Sequence, residues 1–163
     1  MVEQGGEGVN RIEKIREYVD NVLLTMTDTT ERRCGYLHLY GVSQACVLIA
    51  LKRNENTELA AIAGMLHDIY SYGAMDTKEH SHKGSVMARE IPTDLEVFTE
   101  NEVDIICSAI YNHSSKGITQ SPFDEVLKDA DVLQHCLYNP LFDVKEHEKA
   151  RYEKLKSEFG IGH

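Results

Sequence analysis

Apolar residues recur along most of the chain with the period of an α-helix. Four stripes have apolar side chains three or four positions apart, within residues 12–26, 42–49, 103–110 and 123–130. No segment alternates apolar and polar residues as a half-buried strand does. The pattern predicts an all-α fold of six or seven helices.

Signals for helix ends agree with these stripes. Three residue pairs have the spacing of a capping box, and a proline stands where the last of these helices begins: Asp28 with Glu31, Thr99 with Glu102, and Ser121 with Asp124, followed by Pro122. Asn54 and Pro92 are interpreted as helix stops. An irregular segment is expected around residues 71–77.

The chain has 163 residues, which is the size of one ordinary domain. We expect a single domain over residues 9–159. Residues 1–8 are rich in glycine and glutamate with nothing to bury, so a flexible N-terminus is predicted there, and residues 160–163 are expected to fray as well.

Charge and cysteine usage restrict the partners and the compartment. The net charge of −10 repels nucleic-acid duplexes and anionic membrane surfaces, but it is compatible with a small phosphorylated substrate if a metal offsets the local field. The four cysteines form no Cys-x-x-Cys pair, and neither a signal peptide nor a run of about 20 apolar residues is visible. These features predict a reduced, cytoplasmic protein.

Candidate chemistry begins with His67-Asp68, which ends the apolar run over residues 60–70. A histidine beside a carboxylate is costly to bury unless a charged group uses both, and a metal cation is the usual one. Ala63 and Gly64, one turn earlier, are small enough to let a neighbouring helix approach closely. Side chains from two helices can then meet at one ion.

Other polar residues fall on the same buried stripes. His38 precedes Val42 by one turn, His113 ends the stripe of its helix, and Asp131 follows Leu127 by four residues and so faces inward. Asp129 is expected to face solvent. A lone histidine on such a stripe is more often a hydrogen-bonded core residue, and only the company of the others favours a site.

The donor atoms indicate which ions would fit. Histidine nitrogen and carboxylate oxygen without thiolate suit Fe, Mn, Zn, Co or Ni. His38, His67, Asp68 and Asp131 would hold one ion, and two more histidines would allow a second with Asp68 as the bridge. Two such ions lie about 3.5–4 Å apart in known sites, where they activate water and clamp phosphoryl oxygens.

The order of these residues resembles the HD superfamily of metal-dependent phosphohydrolases, in its variant with two extra histidines. The set runs His38, His67-Asp68, His80, His113 and Asp131, and the local segments match as well: Leu66-His67-Asp68-Ile69, Ala109-Ile110-Tyr111-Asn112-His113-Ser114 and Asp129-Ala130-Asp131-Val132-Leu133. The resemblance covers roughly residues 30–140.

The resemblance implies an all-α, single-domain HD-like helical bundle with metals at its centre and a hydroxide that attacks phosphorus. It assigns the middle histidine to His80, which Gly84 and Ser85 follow at the family's spacing, rather than to His82. Asp68 becomes the catalytic carboxylate that bridges the ions. Three neighbours of the ligands are candidates for binding substrate phosphate, although the lysines are equally consistent with a solvated surface: Lys83, Ser115 and Lys116.

Three functional classes stay open. The first is a phosphohydrolase acting on a phosphate ester or anhydride of a nucleotide; the chain is similar to bacterial symmetrical diadenosine tetraphosphatases in its extra histidines and departs from them at residues 69–72 and 133–136. The second is an HD-fold oxygenase with a mixed-valent di-iron centre. The third is a regulatory module with a structural metal, which the lack of thiolates disfavours.

Some features receive no chemical role. Residues 146–156 alternate Glu, Lys and Arg at helical spacing, which is interpreted as a solvated helix face with weak ion pairs. His135, His147 and His163 have no partner pattern and are left unassigned. The sequence sets neither the substrate nor the oligomeric state.

Overall fold

The computed structural model describes residues 10–161, including the side chains of all of these but residues 93 and 94. It confirms the all-α prediction, with no strand in that range. The α-helices, numbered α1 to α8 along the chain, are Arg11–Leu24, Thr29–Arg53, Thr57–Leu66, Ile69–Ala74, His80–Asp94, Glu100–Asn112, Pro122–Tyr138 and Lys149–Glu158. A 3-10 turn over Glu146–Glu148 leads into α8.

The predicted helix starts are confirmed atom by atom. The Asp28 carboxylate accepts hydrogen bonds from the first amides of α2 at 2.8 and 3.0 Å. Thr99 and Glu102 form both halves of the capping box of α6. Ser121 accepts from the Asp124 amide, and Pro122 begins α7. These side chains satisfy amide groups that a helix leaves unpaired at its start.

Two predicted boundaries were wrong, and one was right. Asn54 ends α2 with the left-handed φ of 58°. Pro92, however, lies inside α5, because a proline removes only one hydrogen bond and the helical pattern resumes when the Leu95 amide donates to Ile91. Residues 71–77 are not wholly irregular either, since α4 extends to residue 74 and the irregular part begins at Met75.

The central element is α3, in which every residue from Leu59 to Leu66 is buried. It packs against α1, α2, α6 and α7. A Cβ atom on Gly64 would lie 2.6 Å from the Cα of Ser43, so the backbones of α2 and α3 touch here. The expected close approach of a second helix at this glycine is thereby confirmed, and it places His38 of α2 beside His67.

The C-terminal segment packs on α7, and its contacts correct the expectation for Asp129. Asp129 is 2% exposed rather than solvent-facing, because Arg53 and Arg151 each donate to its carboxylate, at 2.7 and 2.8 Å. The segment 146–156 has the expected solvated positions and short-range ion pairs, Lys149 with Glu146 and Lys156 with Glu153, but it also buries Glu148 and Leu155. Periodicity alone could not reveal the burial of Asp129, because the partner charges come from distant parts of the chain.

Helix α2 differs from the sequence expectation in another respect. Among the helices of residues 10–161, α2 alone is long and apolar enough to cross a membrane. Within the fold, α2 buries one side, which includes Leu39, Val42 and Ile49. Contacts with α3 and α7 account for much of the apolar character.

Candidate metal centre

The fold brings all six predicted metal ligands to one place from five parts of the chain. His38 lies within α2, His67 ends α3, and Asp68 lies between α3 and α4. The others are His80, the first residue of α5, His113, which ends α6, and Asp131, within α7. His67, His113 and Asp131 are buried, whereas the other three side chains are half-buried. Helix ends supply most of the group because there a side chain can turn toward the middle of the bundle.

Each of the four histidines has its Nδ1 atom next to a carbonyl oxygen. The acceptors are Gln134 Oε1 for His38 at 2.8 Å, Gly64 O for His67 at 2.7 Å, Thr77 O for His80 at 3.0 Å and Ile110 O for His113 at 2.6 Å. A carbonyl oxygen only accepts, so Nδ1 carries the proton. Nε2 is therefore the nitrogen of each ring that is left to present a lone pair to a metal.

These Nε2 atoms surround the two oxygens of Asp68. Oδ2 lies 3.4 Å from His38 and 3.6 Å from His67, whereas Oδ1 lies 3.4 Å from His113 and 3.6 Å from His80. Each oxygen of one carboxylate thus faces its own pair of imidazoles. This is the arrangement that a bridging carboxylate between two ions requires.

Asp131 completes the first half of this arrangement. Its Oδ1 atom lies 3.6 Å from His38 Nε2 and 3.9 Å from His67 Nε2. His38, His67 and Asp68 form one group whose donor atoms lie within 4.8 Å of one another, and Asp68, His80 and His113 form a second. Because Asp68 belongs to both groups, the two halves share one carboxylate.

Several atoms of this cluster lack the partners that burial demands. Within residues 10–161, Asp68 Oδ1 and Asp131 Oδ1 are buried and accept no hydrogen bond. His38 Nε2 and His67 Nε2 lie 3.1 Å apart, and when both rings carry their proton on Nδ1 these two atoms present lone pairs to each other. Unpaired buried acceptors are costly, and a cation between them removes both the desolvation cost and the repulsion. The residues present therefore fit divalent ions with nitrogen and oxygen ligands.

Burial and charge set the protonation of the cluster. Burial lowers the pKa of His67 to about 4, so its ring is neutral at pH 7. Burial opposes charge on His38 too, but Asp68 and Asp131 outweigh it and raise the pKa of that ring. Burial likewise favours neutral carboxyls, yet the imidazoles around Asp68, and Lys116 beside Asp131, hold both carboxyl pKa values well below their usual range.

The three predicted phosphate-binding residues lie in different environments. The Lys116 ammonium contacts Asp131 Oδ2 and donates to the carbonyl of His113 at 2.9 Å, so it orients Asp131 and leaves Oδ1 toward the histidines. Lys83 pairs with Asp76 at 3.1 Å and lies over the ring of Tyr70. Ser115 is half-buried in the loop after α6. Substrate binding by these residues stays a prediction.

Two cavities open beside Asp68 and share Tyr72 in their walls. One, of about 360 Å³, is also lined by His38, His135 and Tyr138. The other, of about 290 Å³, reaches His80. By contrast, His82 stacks on Tyr111 with ring centroids 4.2 Å apart and belongs to neither cavity. A substrate could therefore approach the cluster from the side of Tyr72.

Three residues at the cluster were missed by the sequence analysis. The Ser114 hydroxyl lies 3.0 Å from His80 Nε2 and 3.4 Å from His113 Nε2, and Gln134 fixes the ring of His38. His135 Nε2 lies 3.4 Å from Asp131 Oδ1. The four-residue spacing from Asp131 to His135 could have revealed the last of these, since it places both on one face of α7.

The helical bundle and its ordered histidines and aspartates define an HD-domain protein. The HD domain family matches residues 35–135, and the chain belongs to that family. The fold is similar to the crystal structure of a predicted HD superfamily hydrolase from an uncultured Thermotogales bacterium, with a TM-score of 0.61 and 20% sequence identity over 91% of this chain and 88% of that one. No curated protein matches the chain. The family places the chain in a superfamily of metal-dependent hydrolases.

Proposed function

We propose that this protein is a metal-dependent phosphohydrolase that cleaves a phosphate ester or anhydride bond of a nucleotide with one or two divalent transition-metal ions. The observation that carries the proposal is the shared carboxylate of Asp68, each of whose oxygens faces two imidazole lone pairs. Such a bridge is typical of two-metal hydrolytic sites. Iron, manganese, zinc, cobalt and nickel all suit this set of donors.

The residues of the cluster have separate roles in this proposal. His38, His67 and Asp131, with one oxygen of Asp68, would hold the first ion, and His80 and His113, with the other oxygen, would hold the second. When bound, the ions supply a water of lowered pKa as nucleophile and an electrophilic clamp for the phosphoryl oxygens. Lys116 keeps Asp131 charged and oriented, and the carbonyl acceptors keep each ring in its metal-binding tautomer.

The cavity walls support a nucleotide as the substrate. Tyr72 and Tyr138 line the cavity that contains His38 and Asp68, and their rings offer a surface on which a base can stack. The exposed Lys145 lines the same cavity and can pair with a phosphate. The four free thiols agree with a cytoplasmic location.

Elemental analysis of protein purified without chelator tests the metal centre. We expect about two equivalents of metal in the wild type, about one in His113→Ala, and a loss of both in Asp68→Ala. His82→Ala is the matched control, because His82 stacks on Tyr111 outside the cluster and its removal leaves both ions in place. A screen of nucleotide phosphates then measures release of inorganic phosphate by each variant.

Three outcomes would contradict the proposal in different ways. If the wild type binds no metal even after anaerobic reconstitution, the proposal of a metal-dependent enzyme is wrong. Full metal occupancy in Asp68→Ala would break the assignment of the bridge. If the iron-loaded protein consumes oxygen and releases no phosphate, it is a di-iron oxygenase and not a hydrolase.

A further inference from the structure

His135 belongs to the surroundings of the proposed first ion, although the six-residue pattern does not include it. Its Nε2 atom lies 3.4 Å from Asp131 Oδ1, the buried oxygen that also faces His38 and His67. Its ring stacks on that of His38, with centroids 5.2 Å apart and planes inclined by 11°. Asp131 is therefore approached by three imidazoles rather than two.

The other nitrogen of His135 is fixed by the C-terminal segment. Nδ1 lies 2.8 Å from Oε1 of Glu148, a carboxylate that is 2% exposed in the turn before α8. A carboxylate that accepts from Nδ1 leaves the lone pair on Nε2, and carboxylate–histidine pairs of this kind orient metal ligands in many proteins. Glu148 thus directs His135 toward Asp131.

A direct hydrogen bond does not account for the contact with Asp131. An ion pair between imidazolium and carboxylate closes to about 2.7–2.9 Å, whereas this separation is 3.4 Å and Asp131 Oδ1 accepts no hydrogen bond from residues 10–161. Ligands at about 2.1 Å from a common ion lie roughly 3 Å apart when they are adjacent around it. The spacing suits two neighbouring ligands of one cation.

We propose that His135 is a direct ligand of the first ion, beside His38 and Asp131, and that Glu148 is its positioning residue. The donor atoms of these three ligands lie within 4.8 Å of one another. The inference rests on the metal centre of the proposed function and adds a donor to it. It also makes the segment from residue 146 onward a part of the centre.

Competition between the protein and a chelator for Mn²⁺ tests this assignment. In His135→Gln we expect the affinity of the first site for Mn²⁺ to fall by about 100-fold. In Glu148→Gln we expect a fall of about 10-fold, which is within the range seen when a residue behind a metal ligand is changed. His147→Gln is the matched control. His147 is also a histidine near Glu148, with its Nε2 atom 3.9 Å from that carboxylate, but its side chain is exposed to solvent. The affinity of this variant is expected to equal that of the wild type.

A count of imidazole ligands does not depend on whether His135→Gln folds. X-ray absorption on His113→Ala loaded with one equivalent of Mn²⁺ is expected to show three coordinated imidazoles, whereas His38 and His67 alone would give two. A count of two, or a folded His135→Gln within about twofold of the wild-type affinity, overturns the inference and leaves the proposed function intact. A wild type that binds no Mn²⁺ overturns both.

Discussion

At the scale of single residues, the centre depends on what lies behind each imidazole. The acceptors of the Nδ1 protons are mostly carbonyls three residues earlier in the chain, as for His67 with Gly64 and His113 with Ile110. A histidine at the end of a helix meets such a carbonyl without any further residue being specified. The local backbone therefore fixes the tautomer, and the sequence needs only to place the histidine there.

Gly64 has two functions in this arrangement. Its carbonyl holds His67, and its missing side chain lets α2 approach α3. In Gly64→Ala the new Cβ atom would lie 2.6 Å from the Ser43 backbone, so the helices must separate. We expect a loss of about 2 kcal/mol in the free energy of unfolding, since overpacking outweighs the gain in helix propensity.

Chemical denaturation of the two proteins measures this change. Gly117→Ala serves as the control, because a Cβ atom there meets nothing within 4 Å, and its stability is expected to stay within about 0.5 kcal/mol of the wild type. A Gly64→Ala protein as stable as the wild type would show that α2 and α3 can move apart without cost.

At the scale of helices, charged groups hold α8 and α2 against α7. Arg151 of α8 donates to Glu125 and Asp129 of α7, and Arg53 of α2 donates to Asp129 and to Glu158 of α8. These pairs are largely buried, so losing one partner leaves an uncompensated charge. The network holds the end of the chain beside the metal centre.

Glu125 gives this network a measurable dependence on pH. Burial works against its charge, but the Gln120 amide, Arg151 and Lys128 together lower its pKa from 4.5 to about 2. A depressed carboxyl pKa contributes stability above pH 4.5 and loses it as the pH falls toward 2. We expect Glu125→Gln to be about 2 kcal/mol less stable than the wild type at pH 7, and this difference to shrink steadily below pH 4.5.

Urea unfolding at a series of pH values follows the difference between the two proteins. Exposed Glu17 provides the comparison, since Glu17→Gln is expected to show a small difference at every pH. A difference for Glu125→Gln that stays constant between pH 7 and pH 3 would show that the charge of Glu125 does not stabilise the fold.

Some features of the helices could be predicted from the sequence and others could not. Capping residues such as Asp28 and Thr99 act on amides two or three positions away, so local sequence contains the whole interaction. The surroundings of Asp129 depend on Arg53 and Arg151, which only tertiary structure brings together. Pro92 misled the prediction because its cost is one hydrogen bond near a helix end, which the fold tolerates.

At the scale of the whole molecule, a metal bound at the centre would cross-link the helices. Its six predicted ligands come from α2, the α3–α4 junction, α5, α6 and α7. Their order along the chain was readable because the HD pattern is an ordered set of residue types. The place of His135 beside Asp131 could be read from their four-residue spacing, but its contact with Glu148 could not, because Glu148 packs back onto α7 from beyond that set.

A ligand that binds only the folded chain stabilises it by mass action. With Mn²⁺ at about 100 times its dissociation constant, we expect a gain of about 2.7 kcal/mol, or a rise in Tm of roughly 5–10 °C for a domain of this size. Scanning calorimetry with and without Mn²⁺ measures the shift. Asp68→Ala is expected to show none, and an equal shift in that variant would place the bound ion elsewhere.

The spread of the proposed ligands along the chain also bears on how the protein would acquire a metal during synthesis. The ribosome releases His38, His67, Asp68, His80 and His113 before Asp131, so the donor set is complete only when α7 has emerged and packed on α2. In an unfolded chain the imidazoles are not held in a fixed geometry, and such nitrogen ligands bind Cu²⁺ more tightly than the other divalent ions. If the fold fixes the distances between the donor atoms before an ion binds, geometry rather than raw affinity selects the ion.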